Sequence, residues 1–211
     1  MTIDNFLDTN IVVNYVNRNN TSKKIVKDCY DYVESIKGKI ILCGFVANEL
    51  EKLFEKRSRI HNAVLKKVKD KNYDLSENLN RRESPRAKKL YVKVKDIEIK
   101  KLSELLAKER VSFEMGVEKF LKIEVDKIII NPREINQELV RKINDIISNI
   151  DDCKVLASAL QYQSKEEHLF NFVTADDDFS ENGYEYLKEH FKINHSKDEI
   201  RFPKLVNLLT H

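Results

Sequence analysis

The chain has 211 residues, 41% apolar and 35% charged, with a formal net charge of +3 and a pI near 8.6. That length fits one domain with an embellishment, and the apolar fraction is enough to bury a core. No stretch of about 18 apolar residues is present to span a bilayer, and no secretory signal opens the chain, because Asp4 and Asp8 interrupt the early apolar run.

Cys29, Cys43 and Cys153 are odd in number and match no zinc or disulfide spacing. They read as reduced core thiols of a cytoplasmic protein. Charge is unevenly spread. Residues 52–101 hold 17 Lys and Arg against 7 Asp and Glu, a net of +10, so the remainder holds 21 against 28, a net of −7. An acidic body with a basic segment suits metal ions in one part and a polyanion in the other.

In chain order, Phe6 and Leu7 read as a short buried strand, and Asp8 stands where that strand gives way to a helix. Ligands of open α/β sheets bind beyond the carboxyl ends of the strands, so an acid there is placed for chemistry. The ordinary alternative is a helix cap, a role Asn10 also fits. Residues 12–16 and 25–36 read as helices, the second starting near Thr21 or Ser22 and stopping at Gly38. Residues 39–43 form a second buried strand, Gly44 and Phe45 turn the chain, and Val46 begins a helix through Leu50 and Leu53. This rhythm predicts an α/β fold with a central, mainly parallel sheet flanked by helices on both faces.

Residues 57–71 have helical spacing at Ile60, Val64 and Val68, 72–85 read as a polar loop, and 87–110 as one long charged helix. Leu139, Ile143, Ile146, Ile147 and Ile150 mark an amphipathic helix that continues through 155–160. Residues 168–174 read as a strand and 184–191 as a helix. Residues 200–202, followed by Pro203, predict a last short strand before a terminal helix.

Three more acidic sites join Asp8. Glu49 lies one turn into the helix after the second strand, while Glu51 points about 200° away, toward solvent. Asp151 has capping-box spacing from Ser148. Asp152 has no such role, and it shares a helix face with Leu156 and Ala159, where an unpaired carboxylate is costly. Asp176, Asp177 and Asp178 end a strongly apolar strand; if the chain stays extended, Asp176 and Asp178 face one way and Asp177 the other. Each site alone has an ordinary explanation as a cap, a dipole partner or a solvated turn. Gathered by the fold, the four would repel one another unless a cation joined them. Magnesium prefers a few carboxylates plus waters and phosphate oxygens, and such a site suits metal-assisted phosphodiester hydrolysis.

The motifs Phe6-Leu7-Asp8-Thr9-Asn10, Ala47-Asn48-Glu49-Leu50, Asp152 with Leu156-Ala157-Ser158-Ala159, and Thr174-Ala175-Asp176-Asp177-Asp178-Phe179 together resemble the PIN-domain nucleases, as does Phe202-Pro203 near the end. That family comprises metal-dependent ribonucleases, including many toxin components of toxin–antitoxin systems. The resemblance covers about residues 1–55 and 136–208. It implies a single PIN-like three-layer domain over 1–211, interrupted by a basic, mainly helical insertion at about 56–135. It also implies that Asp8, Glu49, Asp152 and Asp176 bind one or two Mg²⁺ or Mn²⁺ ions, with Asp178 as an auxiliary acid. Asn10 and Thr174 would orient acids or waters. The implied activity is endoribonuclease cleavage leaving 5′-phosphate and 3′-hydroxyl ends, and the implied partners are an antitoxin-like protein and a second copy of the chain. An alternative is a catalytically silent PIN-like module that binds RNA or protein. A phosphatase with an aspartyl nucleophile fits poorly, because Asp8 lacks a second Asp two positions on.

Within or beside the insertion, Lys66, Lys67, Lys69, Lys71, Arg81, Arg82, Arg86, Lys88 and Lys89 would give RNA phosphates a salt-sensitive, sequence-independent contact. The ordinary alternative is a solvated helical face. Tyr73 and Tyr91 are candidates to stack on unpaired bases, and the five histidines form no metal spacing.

Overall fold

A computed structural model describes residues 2–17, 23–194 and 200–209. The chain groups into two compact units, one of residues 1–49 with 117–211 and the other of residues 50–116.

The first unit is built on five short strands: β1 (Asn5–Leu7), β2 (Ile40–Cys43), β3 (Lys127–Ile129), β4 (Asn171–Thr174) and β5 (Lys204–Asn207). Their spatial order is β3-β2-β1-β4-β5, and every neighbouring pair is parallel. Phe6 lies between Ile41 and Phe172 in register. A fully parallel sheet is covered on both faces, which is why β1 and β2 are continuously buried rather than alternating. Phe6, Ile41, Leu42, Phe172 and Phe179 lie at the centre of the core, with the Phe172 and Phe179 rings edge to face at 5.2 Å.

Two helices, α1 (Thr9–Val16) and α2 (Lys24–Ser35), carry the chain from β1 to β2. The predicted start of the second at Thr21 or Ser22 lies outside the described residues. It ends three residues before Gly38, where a Cβ would collide with the backbone of Ile3. Helix α3 (Gly44–Lys69) follows β2 with no intervening turn, so Gly44 and Phe45 open the helix instead of bending the chain. A Cβ at Gly44 would lie 2.7 Å from Pro132 Cδ and 3.0 Å from the Ile130 carbonyl oxygen, which accepts from Gly44 N–H. Ile130 itself has φ of 51°, a left-handed conformation that a β-branched residue adopts only under tertiary constraint. The junction therefore depends on glycine.

Helices α7 (Gln137–Asn144) and α8 (Ile150–Gln163) lead from β3 to β4, and α9 (Glu181–Asn194) from β4 toward β5. The single helix expected across 139–160 is broken at 145–149. Asn149, not Ser148, caps α8 by accepting from Asp151 N–H. The final strand lies after Pro203 rather than before it, and residues 208–209 form a turn where a terminal helix was expected. Proline lacks the donor a ladder needs, while Lys204 N–H bonds Phe170 O. Because β1 connects leftward to β2 and β4 rightward to β5, their adjacent carboxyl ends form the switch point of the sheet. Right-handed crossovers then place the helices of the two directions on opposite faces.

The unit of residues 50–116 is helical. It contains the remainder of α3, a single turn α4 (Leu75–Asn78), α5 (Ser84–Val94) and most of α6 (Ile99–Lys119). Its own small core joins Ile60, Ala63, Val64, Leu75 and Ala87, with Tyr73, Leu90 and Tyr91 packed against it. The long helix predicted for 87–110 is two helices, and the loop predicted for 72–85 contains α4. Strand β3 falls within the segment read as a helical insertion, because α6 ends in a π-helical turn at Phe120–Glu124 before the chain re-enters the sheet. No helix among the described residues is long and apolar enough to cross a membrane.

Candidate metal centre

Asp8 caps α1. It follows buried β1, and one carboxylate oxygen accepts from Thr9 N–H at 2.6 Å. The other accepts from Asn10 Nδ2 at 2.9 Å and from the Thr174 hydroxyl at 2.8 Å. Both readings of Asp8 therefore meet in one residue, since the capping acid is also the acid at the switch point. Asn10 Oδ1 in turn accepts from Ala175 N–H at 2.9 Å, which ties the loop after β4 to the start of α1. Asp8 is only 2% exposed. Burial pushes its pKa up to about 6 in spite of the Thr174 and Thr9 hydrogen bonds, and the charges of Glu49 and Asp176 push the same way.

Asp152, Asp176 and Asp178 offer carboxylate oxygens that all lie within 4.8 Å of one another, the one such acid grouping among the described residues. Asp152 comes from the first turn of α8, where the helix dipole favours an acid. Asp176 and Asp178 come from the loop after β4, which curls into a 3-10 turn at Asp177–Phe179 instead of staying extended. The turn forms because Asp176 accepts from Asp178 N–H at 3.0 Å, and it brings half-buried Asp176 and exposed Asp178 together at Asp152, while Asp177, also exposed, stays outside the group. Asp152 Oδ2 is buried and has no hydrogen-bond donor. Burial, then the charges of Asp8, Asp176 and Asp178, push the Asp152 pKa up to about 7. Its contact with the Asp178 carboxyl pairs two acceptors, a repulsion that a shared proton or a cation would relieve.

Glu49 stands beside this trio rather than in it. Its Oε2 accepts the Thr9 hydroxyl at 2.7 Å, and its charge acts on Asp8. Glu51 is exposed, and Asp151 is exposed and pairs with Lys154 Nζ at 2.9 Å, which leaves both outside the cluster. The three cysteines are free and buried.

Two positioning residues escaped the sequence reading. Thr9 holds Glu49 with its side chain and Asp8 with its backbone. Asn207, buried at the end of β5, donates from Nδ2 to the Asp176 carbonyl at 2.8 Å and to the Phe179 carbonyl at 2.9 Å, bracing the acidic turn. The available signal for Asn207 was a polar residue closing the apolar pair Leu205-Val206.

The donor set is all hard oxygen, and one buried carboxylate oxygen is unsatisfied, so these residues fit a magnesium- or manganese-type cation. In the helical unit, Lys66, Lys69, Arg81, Arg82, Arg86, Lys88 and Lys89 are exposed and Lys67 is half-buried. Tyr73 and Tyr91 pack on the small core, which is at odds with a role as free stacking platforms. Comparison with family models, with curated proteins and with solved structures finds no match.

Proposed function

We propose that the chain is a PIN-like, Mg²⁺- or Mn²⁺-dependent endoribonuclease. One observation carries the reading. Acids from three distant stretches, Asp8, Asp152 and the Asp176–Asp178 pair, converge at the switch point of a parallel sheet, and a buried Asp152 oxygen has no partner there. Structural salt chemistry does not account for such a site, since among the described residues no Lys or Arg pairs with these four acids.

Asp152, Asp176 and Asp178 would hold the cation, with Asp8 and Glu49 adding negative charge at its border. When bound, the ion neutralises the acids and lowers the pKa of a water molecule for attack on a phosphodiester. The chain's own part is orientation. Thr9, Asn10 and Thr174 fix Asp8, Thr9 fixes Glu49, and Asn207 fixes the turn that presents Asp176 and Asp178. In-line attack at phosphorus with departure of the 3′-oxygen leaves a 5′-phosphate and a 3′-hydroxyl. No side-chain nucleophile is needed.

The test is incubation of the protein with total cellular RNA in Mn²⁺ and in EDTA, followed by mapping of the cut ends. Mn²⁺-dependent 5′-phosphate ends from the wild type, absent with Asp176→Asn, support the enzyme. If both proteins bind RNA equally and leave it intact, the silent-module alternative replaces it.

A further inference from the structure

A second electrostatic feature, outside the acid centre, lies wholly within residues 50–116. A cleft of about 420 Å³ is lined by Lys52, Lys56 and Arg59 of α3 and by Arg81 and Arg82 of the segment that enters α5. Glu83, 3% exposed, is also at the cleft, but its Oε1 is forked by Arg59 Nε at 3.2 Å and Nη2 at 2.7 Å. Glu55 is engaged by the same Arg59 at 3.8 Å. Both carboxylates pair with one arginine, Glu83 also acting on Lys56 through its charge, and none of Lys52, Lys56, Arg81, Arg82 or Arg86 enters an ion pair among the described residues. The turn that carries Arg82 is fixed locally, because Asn80 Oδ1 accepts from the backbone N–H groups of Arg82 at 3.0 Å and Glu83 at 2.9 Å.

Cations crowded into a concavity in excess of counter-charge focus a positive field, and Arg guanidinium forks match phosphate oxygens. The crowding registers on Lys56, whose pKa is pushed below its ordinary value by burial and by Arg86, Arg82 and Arg59, against the opposing charge of Glu83. A single phosphate group carries a charge of at most about −2, too little for four or five cations. A nucleic-acid strand brings one phosphate per nucleotide in succession and satisfies the whole group.

We propose that this cleft is a phosphate-binding site that takes the sugar–phosphate backbone of single-stranded RNA, with Lys52, Lys56, Arg81 and Arg82 as its contacts. The choice of RNA rests on the nuclease reading, whereas the preference for successive phosphates does not. It assigns Lys52 and Lys56 a role that charge patterning alone gave to Lys66, Lys69, Lys88 and Lys89.

The experiment titrates a labelled 20-nucleotide single-stranded RNA with the full chain in EDTA across a series of salt concentrations. Because nothing is cut in EDTA, failure of the nuclease reading is separate from failure of this one. Lys56→Gln/Arg82→Gln is expected to bind about tenfold more weakly, with the salt slope reduced by about 1.4, the equivalent of two phosphate contacts. Lys37→Gln/Lys204→Gln removes the same charge from the other unit and is expected to change affinity less than about threefold. Both lysines are exposed, and relief of like-charge crowding keeps the cleft variant folded, which circular dichroism checks. Equal losses in the two double variants would overturn the proposal. So would displacement of the RNA by inorganic phosphate or a nucleoside triphosphate at micromolar concentration, which would assign the cleft to a free phosphoanion. Displacement by polyglutamate but not by unlabelled RNA would assign it to an acidic protein segment and overturn it as well.

Discussion

Replacing Asp152 with Asn keeps the shape of the side chain and removes a charge that the metal-free protein holds at a cost. In the wild type, Oδ2 is buried without a donor and the carboxyl faces Asp178. An amide at this position donates to Asp178 instead of repelling it. The wild-type pKa, raised from 3.8 to about 7, corresponds to about 4 kcal/mol if taken in full. The carboxylate is partly open to water, and solvent screening reduces this to about 1–2 kcal/mol. For a protein of this size, that raises the melting temperature by about 3–6 °C. The sign follows from linkage. The folded state binds the Asp152 proton more tightly than the unfolded state, so wild-type stability falls as pH rises from about 4 to about 7. The advantage of Asp152→Asn in EDTA should therefore be absent below pH 4, grow through that window and level off above it. Thermal unfolding of both proteins at pH 4, 6 and 8 measures this. In millimolar Mn²⁺ the order should reverse, because cation binding stabilises only the protein that can bind it. A variant no more stable than wild type at pH 8, or one whose advantage ignores pH, would refute the view that repulsion at this site awaits a cation.

Asp8 adds to the same trend: with a folded pKa of about 6 against 3.8, metal-free stability should drop by about 2 kcal/mol between pH 4 and pH 6, as read by urea unfolding in EDTA. Cleavage should conversely rise from pH 5.5 to 7.5, since cation binding needs Asp152 ionised and is favoured by the negative charge of Asp8 at its border. Thr9→Val releases Glu49 while keeping the buried shape. It is expected to weaken Mn²⁺-dependent cleavage about tenfold, with the loss partly recovered at high Mn²⁺. Gly44→Ala drives a methyl against Pro132 and the Ile130 carbonyl, and should cost about 1–3 kcal/mol in urea unfolding and lower activity through the displaced first turns of α3.

The parts of the fold that were legible in the sequence are those where burial and chemistry coincide. Strands β1, β2 and β4 centre on buried apolar residues because both faces of the sheet are covered, and Asp8 and Asp176 stood out just beyond the ends of two of them. Strand β3 was not legible. It is an edge strand with Lys127 and Ile128 exposed, and it follows a charged helix without a Gly or Pro to separate them. The break between α5 and α6 falls at Lys95-Asp96-Ile97-Glu98, where again no helix breaker marks it. The Asp176–Asp178 geometry was anticipated from an extended chain but arises from an Asx-capped 3-10 turn, a local hydrogen bond that residue alternation does not encode. Glu49 was placed with the other acids by resemblance. Its position beside them, through Thr9, depends on a tertiary contact 40 residues apart in sequence.

The most direct measurement is calorimetric titration of Mn²⁺ into the protein at pH 7.5, comparing wild type with Asp152→Asn and Asp176→Asn. One or two sites of micromolar to sub-millimolar affinity in the wild type, weakened at least tenfold in both variants, are expected if the converging acids form a cation centre. Absence of binding by the wild type, or equal binding by all three proteins, would contradict that centre and the nuclease built upon it.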